Sequence, residues 1–284
     1  MGKLIREVKN SSYARGAAAD CDLSILLGVD RLSYLVSDER DNALLLKDYR
    51  LSESAITDAE LKPALQEVLL ADADLKLAYR RTKIALISQY ATLIPDRFYQ
   101  PDKQTTYLAS AVPDTAMGTL ADDLLRQLGV RNVYTYAPFL SDMLGRYFRK
   151  PEIVHSYTPL LLSLRQAFEH QQGKRLYVNV REHIVQIVFM DGDELILCNS
   201  YPYQSAEDFI YYVLLVMEQF RLKPESVPVT LSGLLVLESE VYRLLYRYIR
   251  HLRFMPTPGY YQYSAEFKTL PEHYYFDLYS LKLV

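Results

Sequence analysis

The strongest constraint on the fold is an order of predicted elements that occurs twice. Between Arg175 and Met255 the pattern predicts three strands, a helix, a strand, a helix and a last strand. These strands are Leu176–Val180, Ile184–Met190, Glu194–Tyr201, Val227–Leu231 and Leu252–Met255. The same order runs more weakly from Asp22 to Phe148. A repeated mixed α/β motif favours two similar lobes that face a cleft.

The first half of the chain predicts an antiparallel meander followed by a helix. Its three short apolar runs are Leu23–Leu27, Leu32–Val36 and Ala43–Tyr49. Thr57 and Glu60 then have the spacing of a capping box. Pro63 conflicts with a helix start at this point, because a proline inside a helix removes a backbone hydrogen bond. The helix is therefore either kinked or begins nearer Pro63.

The region between this helix and the middle of the chain mixes strands and helices. We expect a loop at residues 92–95, a helix at Gln104–Val112, and a strand pair, Leu124–Leu128 and Val130–Tyr136, around Gly129. The core elements of this region are a strand at Lys83–Ser88, a helix at Pro138–Phe148, a strand at Ile153–His155 and a helix at Leu160–Glu169.

Polar stretches suggest the limits of the lobes. Residues 1–20 are predicted to be a loose lead-in, residues 21–172 the first lobe and residues 173–284 the second lobe with a tyrosine-rich tail. The boundary lies at the polar run Gln171-Gln172-Gly173. The end of the tail, Tyr274–Val284, alternates like a final strand.

Composition excludes several classes of protein. The formal net charge is −3, from 32 basic and 35 acidic residues, which gives no overall attraction to nucleic acid or acidic membranes. Cys21 and Cys198 are far apart, so neither a disulfide framework nor a structural zinc site is expected. The longest apolar run, Phe209–Met217, is shorter than a membrane span, which needs about 20 residues. We expect a cytoplasmic protein without membrane insertion.

The order βββαβαβ, given twice, resembles the actin-like fold of sugar kinases, chaperone ATPases and actin. Within that group, Tyr177–Phe209 is similar to the actin-like cytoplasmic proteins of type IV pilus and type II secretion assembly. The whole chain resembles an uncharacterised bacterial family with a degenerate version of this fold. That likeness is carried by Ala91–Pro95 with Phe98, by Tyr136-Ala137-Pro138 and by the hairpin at Asp191. The resemblance implies an α/β protein with two RNase H-like lobes, each built on a mixed sheet.

Residues at the phosphate-binding turns depart from the pattern of the actin-like ATPases. In the first lobe Leu26 occupies the acidic position, although Gly28 is retained. In the second lobe Asn179 replaces the acid and Arg181 replaces the glycine. These ATPases need small turns whose N–H groups reach phosphate, and carboxylates that hold Mg²⁺.

The resemblance places the adenosine-side glycine cluster at Leu231-Ser232-Gly233-Leu234-Leu235, where only Gly233 remains. We therefore expect no catalytic residue, no cofactor and no metal site. Arg181 has two interpretations: a phosphate clamp, or an arginine at a strand end that forms a surface ion pair, which we favour. The five histidines show no metal-ligand spacing.

Arg243, Arg247 and Arg250 share one face of a predicted helix, beside Tyr242 and Tyr246. They form either a surface for an acidic partner or RNA, or a solvated face that nearby Glu238 and Glu240 balance. We favour the solvated face.

Three functions follow from these patterns. The first is a non-catalytic actin-like module, a pseudo-ATPase that binds a protein or short peptide as a scaffold, with homo-oligomers also possible. Peptide binding is implied by the pilus-type relatives, on which a short peptide of a membrane partner docks. The alternative is an enzyme or sensor that binds a nucleotide or phospho-ligand between the lobes. A nucleic-acid adaptor that uses the arginine face is the third and least favoured.

Overall fold

The computed structural model describes residues 2–52, 57–109, 111–113 and 117–284. The strands are β1 (Lys3–Lys9), β2 (Asp22–Leu27), β3 (Arg31–Ser37), β4 (Ala43–Arg50), β5 (Arg81–Leu86), β6 (Ala91–Pro95), β7 (Thr119–Leu125), β8 (Val130–Tyr136), β9 (Glu152–His155), β10 (Lys174–Val180), β11 (Ile184–Asp191), β12 (Glu194–Pro202), β13 (Val229–Gly233) and β14 (Leu252–Phe254). The helices are α1 (Asp58–Ala71), α2 (Gln104–Leu108), α3 (Pro138–Tyr147), α4 (Tyr157–Ala167), α5 (Ala206–Gln219), α6 (Glu240–Tyr248) and α7 (Phe276–Ser280).

Packing divides the chain into two compact units. The first contains residues 1–162, 258–270 and 277–284, and the second contains residues 163–257 and 271–276. In the described part of the chain, no helix combines the length and the apolar character that crossing a membrane requires.

A six-stranded sheet in the order β1-β4-β3-β2-β5-β9 forms the centre of the first unit. The strands β2, β3 and β4 pair antiparallel, which confirms the predicted meander, and β2-β5 and β5-β9 pair parallel. The central strand β2 is buried along its whole length, which suits a strand that is covered on both faces.

The interpretation of residues 1–20 as a loose lead-in is wrong for β1, which pairs antiparallel with β4. Strand β1 lies at the edge of the sheet, and its apolar residues Leu4 and Ile5 are exposed. Charged residues at such an edge discourage pairing with another chain, and they also make the strand resemble a loop in sequence.

Helix α1 begins at Asp58, after a capping box formed by Thr57 and Glu60. Pro63 lies inside this helix, so the alternative start near Pro63 is wrong. Its apolar stripe, Leu61, Leu65, Val68 and Leu69, packs into the core of the first unit. The capping hydrogen bonds and this stripe thus outweigh the backbone bond that Pro63 removes.

A three-stranded antiparallel sheet, β6-β8-β7, is inserted between β5 and α3. Strand β8 pairs with the strand before it as predicted, but that strand, β7, ends at Leu125, and Arg126–Leu128 form a 3-10 turn. Helix α2 confirms the predicted helix only from Gln104 to Leu108. The predicted loop at residues 92–95 is wrong, because β6 pairs with β8 from Ala91 to Pro95. Pro95 ends this strand, and a proline at a strand end gives the sequence the appearance of a turn.

The five-stranded sheet of the second unit has the order β12-β11-β10-β13-β14. Strands β10, β11 and β12 pair antiparallel, whereas β13 and β14 are added in parallel after α5 and α6 respectively. The order matches β4-β3-β2-β5-β9 of the first unit. The sheet topology therefore confirms the repeated βββαβαβ motif.

The predicted final strand at Tyr274–Val284 is wrong, because this region forms α7 and a short 3-10 turn. Most of the tyrosine-rich tail packs with the first unit. Tyr279 contacts the rings of Tyr261 and Tyr263 at centroid distances of 6.1 and 5.3 Å, and Asn42 forms a bridge with Gln262. Ring packing, rather than strand alternation, thus accounts for the tyrosines. The lobe boundary at residue 172 stays a prediction.

Buried charges hold the meander of the first unit to the segment that follows α1. Asp74 accepts hydrogen bonds from Tyr13 (2.9 Å), Arg15 (2.6 Å) and Lys47 (2.8 Å). Burial alone would raise the pKa of Asp74, but these donors outweigh it and hold the pKa well below its usual range. Lys47 also contacts Asp72, and the two carboxylates raise the Lys47 pKa despite its burial.

We predict that Asp74→Ala lowers the free energy of unfolding by about 1–3 kcal/mol, because the buried groups of Tyr13 and Lys47 lose a charged hydrogen-bond partner while Lys47 keeps Asp72. A control, Asp96→Ala, breaks an exposed pair with Arg131 and should cost less than about 1 kcal/mol. Urea unfolding measures both values.

The stability that Asp74 contributes should decrease as the pH falls. Since the folded-state pKa of Asp74 is depressed, its contribution is complete above the unfolded-state pKa, about 3.9, and is lost as the pH falls toward the folded value. The difference between the wild type and Asp74→Ala should therefore shrink below about pH 4. A loss at pH 7 equal to that of Asp96→Ala would contradict the account.

Candidate functional site

The end of β2 carries an apolar side chain where the pattern of the fold places an acid. Leu26 is 2% exposed, and its neighbours in register are Ser33 of β3 and Ala85 of β5. The N–H of Gly28 donates to the carbonyl oxygen of Arg31 at 2.8 Å and closes the turn into β3. This strand end therefore offers an aliphatic side chain, and its glycine N–H is already paired.

One carboxylate beside this turn was missed from the sequence. Asp30 is buried, and its Oδ1 would lie 3.2 Å from a Cβ placed on Gly28. The sequence shows it only as a turn residue, because Asp is common in turns for local reasons.

The ends of β10 and β13 are joined by buried side-chain hydrogen bonds. The amide Nδ2 of Asn179 donates to Oε1 of Gln186 at 2.9 Å, and Oγ of Ser232 donates to Oδ1 of Asn179 at 3.0 Å. Register explains the contacts, since Asn179 lies opposite Gln186 in β11 and opposite Ser232 in β13. We call these three residues the Asn179 network. Gln186 was missed from the sequence, although it interrupts the apolar run of β11.

Gly233 brings the backbones of β10 and β13 into close contact. Its φ is +89°, and a Cβ at this position would lie 2.1 Å from the carbonyl oxygen of Val180. The N–H of Gly233 donates to the carbonyl of His273 (2.8 Å), and that of Leu234 donates to the carbonyl of Val180 (2.7 Å). Both backbone donors at this turn are therefore paired within the second unit.

Arg181 lies at the end of β10 and is buried, with 5% of its surface exposed. The favoured interpretation as a surface ion pair is therefore wrong. Its N–H donates to the carbonyl oxygen of Ile184 at 2.9 Å, and its own carbonyl accepts a hydrogen bond from the hydroxyl of Tyr203. The backbone of Arg181 is thus committed to the β10–β11 turn and to Tyr203.

The residues at these strand ends do not fit a magnesium-bound nucleotide. Leu26 cannot bind a cation or its water, and both polar ends of the Asn179 amide bond to neighbouring side chains. Phosphate binding at such turns needs N–H groups that point to the ligand. The N–H groups of Gly28, Gly233 and Leu234 donate to protein carbonyls instead. Within the described residues, no group of three or more His, Cys, Asp or Glu side chains is placed to hold a metal ion.

A second buried polar cluster, also missed from the sequence, joins the inserted sheet to the start of α4. Asp123 of β7 accepts hydrogen bonds from the N–H of His155 (2.8 Å) and the hydroxyl of Thr158 (2.6 Å). Burial raises the pKa of Asp123 to about 6 and lowers that of His155 to about 4. His155 is neutral near pH 7; Nδ1 accepts from the N–H of Tyr157, and Nε2 donates to the carbonyl of Ser88. Both ring nitrogens of His155 therefore form hydrogen bonds within the protein, as expected for a histidine with a structural role.

The three arginines of the predicted surface lie in the second unit and are exposed. Arg243 and Arg247 belong to α6, and Arg250 follows the end of the helix. Among the described residues, no carboxylate lies within ion-pair distance of these three guanidinium groups, and the balance by Glu238 and Glu240 stays a prediction. Arg247 lies over the ring of Tyr248 at 5.9 Å.

Comparison with protein families identifies the chain. A family model described as a protein of unknown function (DUF3822) matches residues 11–252. The chain belongs to this DUF3822 family. No curated protein sequence matches it.

Solved structures show the fold of this DUF3822 protein. A Bacteroides thetaiotaomicron protein with an actin-like ATPase fold and unknown function is 19% identical over 96% of this chain and 100% of its own, with a TM-score of 0.82. PilM, in the PilM–PilN type IV pilus biogenesis complex, is 12% identical over 92% of this chain and 97% of its own, with a TM-score of 0.57. The ethanolamine utilization protein EutJ from Carboxydothermus hydrogenoformans is 10% identical over 97% of this chain and 92% of its own, with a TM-score of 0.49. The fold is the actin-like ATPase fold that the sequence predicts.

We predict that Gly233→Ala destabilises the DUF3822 chain much more than Gly173→Ala. Both glycines have positive φ, +89° and +85°, but a Cβ on Gly173 meets nothing within 4 Å. The control should cost about 1–2 kcal/mol for the left-handed backbone alone. The β10 contact adds to that cost in Gly233→Ala. Equal midpoints of urea unfolding for the two variants would show that the close approach is absent.

A double-mutant cycle tests the Asn179 network. Asn179→Leu leaves the buried oxygen of Gln186 and the hydroxyl of Ser232 without this partner and should cost about 1–3 kcal/mol. Replacing both members, in Asn179→Leu with Gln186→Leu, should cost less than the sum of the single changes, with a coupling above about 0.5 kcal/mol. Additive costs in thermal or urea unfolding would mean that the two amides do not interact.

Proposed function

We propose that this DUF3822 protein is a non-catalytic actin-like module that binds a protein partner and acts as a scaffold. One observation supports this most: the Asn179 network and the paired N–H groups of Gly28, Gly233 and Leu234 use internally the groups that an ATPase of this fold offers to a nucleotide. The sheets and cores are nevertheless intact, so a use for the fold other than catalysis explains its retention.

The energetics favour the same interpretation. To bind phosphate, these strand ends would first have to break hydrogen bonds that are buried, and each buried polar group left without its partner costs about 1–3 kcal/mol. Arg181 is also buried beside this turn rather than directed into solvent.

The fold neighbour PilM supports a protein as the partner, since its structure is that of a complex with PilN. We propose a cytoplasmic location, because Cys21 and Cys198 are both free and buried, which suits a reducing compartment. The partner is a protein or peptide rather than nucleic acid, since the whole chain has a formal charge of −3.

A thermal melt with Mg-ATP tests the proposal. A ligand at a hundredfold excess over its dissociation constant stabilises the folded state by about 2.7 kcal/mol, which raises the melting temperature of a protein of this size by about 5–10 °C. We expect no shift with Mg-ATP, Mg-ADP or a non-hydrolysable analogue, and no phosphate release above background.

A saturable shift with any of these nucleotides would contradict the proposal. The Asn179→Leu variant then serves as the matched comparison, because it alters the strand ends without touching the rest of the second unit. Loss of the shift in this variant would locate the nucleotide at β10 and β13.

A further inference from the structure

Helix α6 carries a line of exposed cations. Arg243 and Arg247 lie one turn apart on the helix, so their side chains are separated by about 5–6 Å at Cβ. Arg250 is exposed and follows the end of the helix. Like charges at this spacing destabilise an isolated helix. In the described part of the chain, no carboxylate within ion-pair distance relieves this repulsion. The positive charge of this face is therefore available to something outside the chain.

An exposed aromatic side chain, Tyr246, belongs to the same helix as Arg243 and Arg247. Tyr246 is 70% exposed, yet its ring stacks on Tyr242 at 6.1 Å. The stack continues through Phe254 of β14 at 5.4 Å to His273 at 4.1 Å. Tyr246 is the exposed outer end of this row of rings, so its face can be covered by a partner. Tyrosine and arginine are also the residues most often found at the centres of protein interfaces.

Exposed apolar side chains are concentrated at the same helix. Four of the eleven exposed large hydrophobic side chains of the described residues lie between Val236 and Tyr248. Leu237, just before the helix, is 55% exposed. Exposed apolar side chains that occur singly need no explanation, whereas a cluster next to unpaired cations has the composition of a binding surface.

We propose that Arg243, Tyr246, Arg247, Arg250 and Leu237, the α6 surface, bind an acidic segment of a partner protein. Charge complementarity defines the occupant: a segment whose carboxylates lie on one face about 6 Å apart, as on one side of a helix or an extended chain. An apolar side chain of that segment packs on Tyr246. This inference rests on the scaffold function proposed above and assigns the surface that performs it.

A protein segment suits this surface better than a nucleic acid. Three arginines neutralise few phosphates, and the chain as a whole is acidic, so it repels a long polyanion. The exposed aliphatic side chains of Val236 and Leu237 have no counterpart on a sugar–phosphate backbone. They match an apolar side chain of a peptide.

Fluorescence anisotropy tests the α6 surface directly. The probe is a fluorescein-labelled peptide that repeats Glu-Glu-Leu, titrated with the full chain at low ionic strength, where exposed charges are screened least. We expect saturable binding, and a loss of about tenfold or more in affinity for the variant Arg243→Glu with Arg247→Glu. Tyr246→Ser should also weaken binding.

The matched control changes two exposed arginines near the end of α3, Arg146→Glu with Arg149→Glu, which alters the net charge equally. It should bind like the wild type. The variant Arg243→Gln with Arg247→Gln removes the charge without reversing it and should lose affinity in the same direction. Thermal melts check that every variant is folded, as expected for exposed side chains.

Any of four outcomes would contradict the proposal that the α6 surface binds an acidic segment. These are no saturable binding by the wild type, equal losses in the α6 and α3 variants, equal binding of a Lys-Lys-Leu peptide, or tighter binding of oligouridylate than of the acidic peptide. The Mg-ATP melt is independent of these results. If the peptide does not bind and Mg-ATP does not change the melting temperature, only the assignment of the α6 surface is wrong. If Mg-ATP raises the melting temperature, the proposed scaffold function is itself contradicted.

Discussion

The hydrogen bonds of the Asn179 amide are the constraint on which the interpretation of this fold depends. They join β11, β10 and β13 of the second sheet, at the strand ends that the sequence resemblance aligns with the phosphate-binding turns of actin-like ATPases. A carboxylate at residue 179 would be charged and would require a cation or solvent. An amide donates and accepts at once, and here it donates to Gln186 and accepts from Ser232. With an amide instead of a carboxylate at residue 179, the strand ends can be joined by hydrogen bonds within the protein.

The Asn179 network is separate from the apolar cores of the two units. Neither core cluster contains Asn179, Gln186 or Ser232, although Val180 beside them belongs to the core of the second unit. Gly233 remains necessary for a steric reason that does not involve a ligand, since its backbone lies against Val180. A glycine retained from a phosphate-binding pattern is therefore weak support for phosphate binding. The same residue serves the packing of two parallel strands.

The sequence correctly predicted the elements that have long apolar runs. It missed the features that depend on tertiary packing or on strand register. The meander of β2, β3 and β4, the second-unit strands and the capped helices were predictable because their patterns are local. Strand β1 was missed because an edge strand carries charges and leaves Leu4 and Ile5 exposed. The Asn179 network needed the register of three strands, and the burial of Arg181 needed its tertiary surroundings. The arginines were recognised as a helical face, but the lack of paired carboxylates within the described residues became visible only in three dimensions.

The most direct measurement of the central claim is the NMR signal of the side-chain amides of Asn179 and Gln186 during a titration with Mg-ADP. Selective amide labelling and the Asn179→Leu variant assign the two resonances. The account predicts that both keep their positions at every nucleotide concentration, because their hydrogen bonds are to each other and to Ser232. A saturable change in either resonance would show that a nucleotide reaches these strand ends and would contradict it.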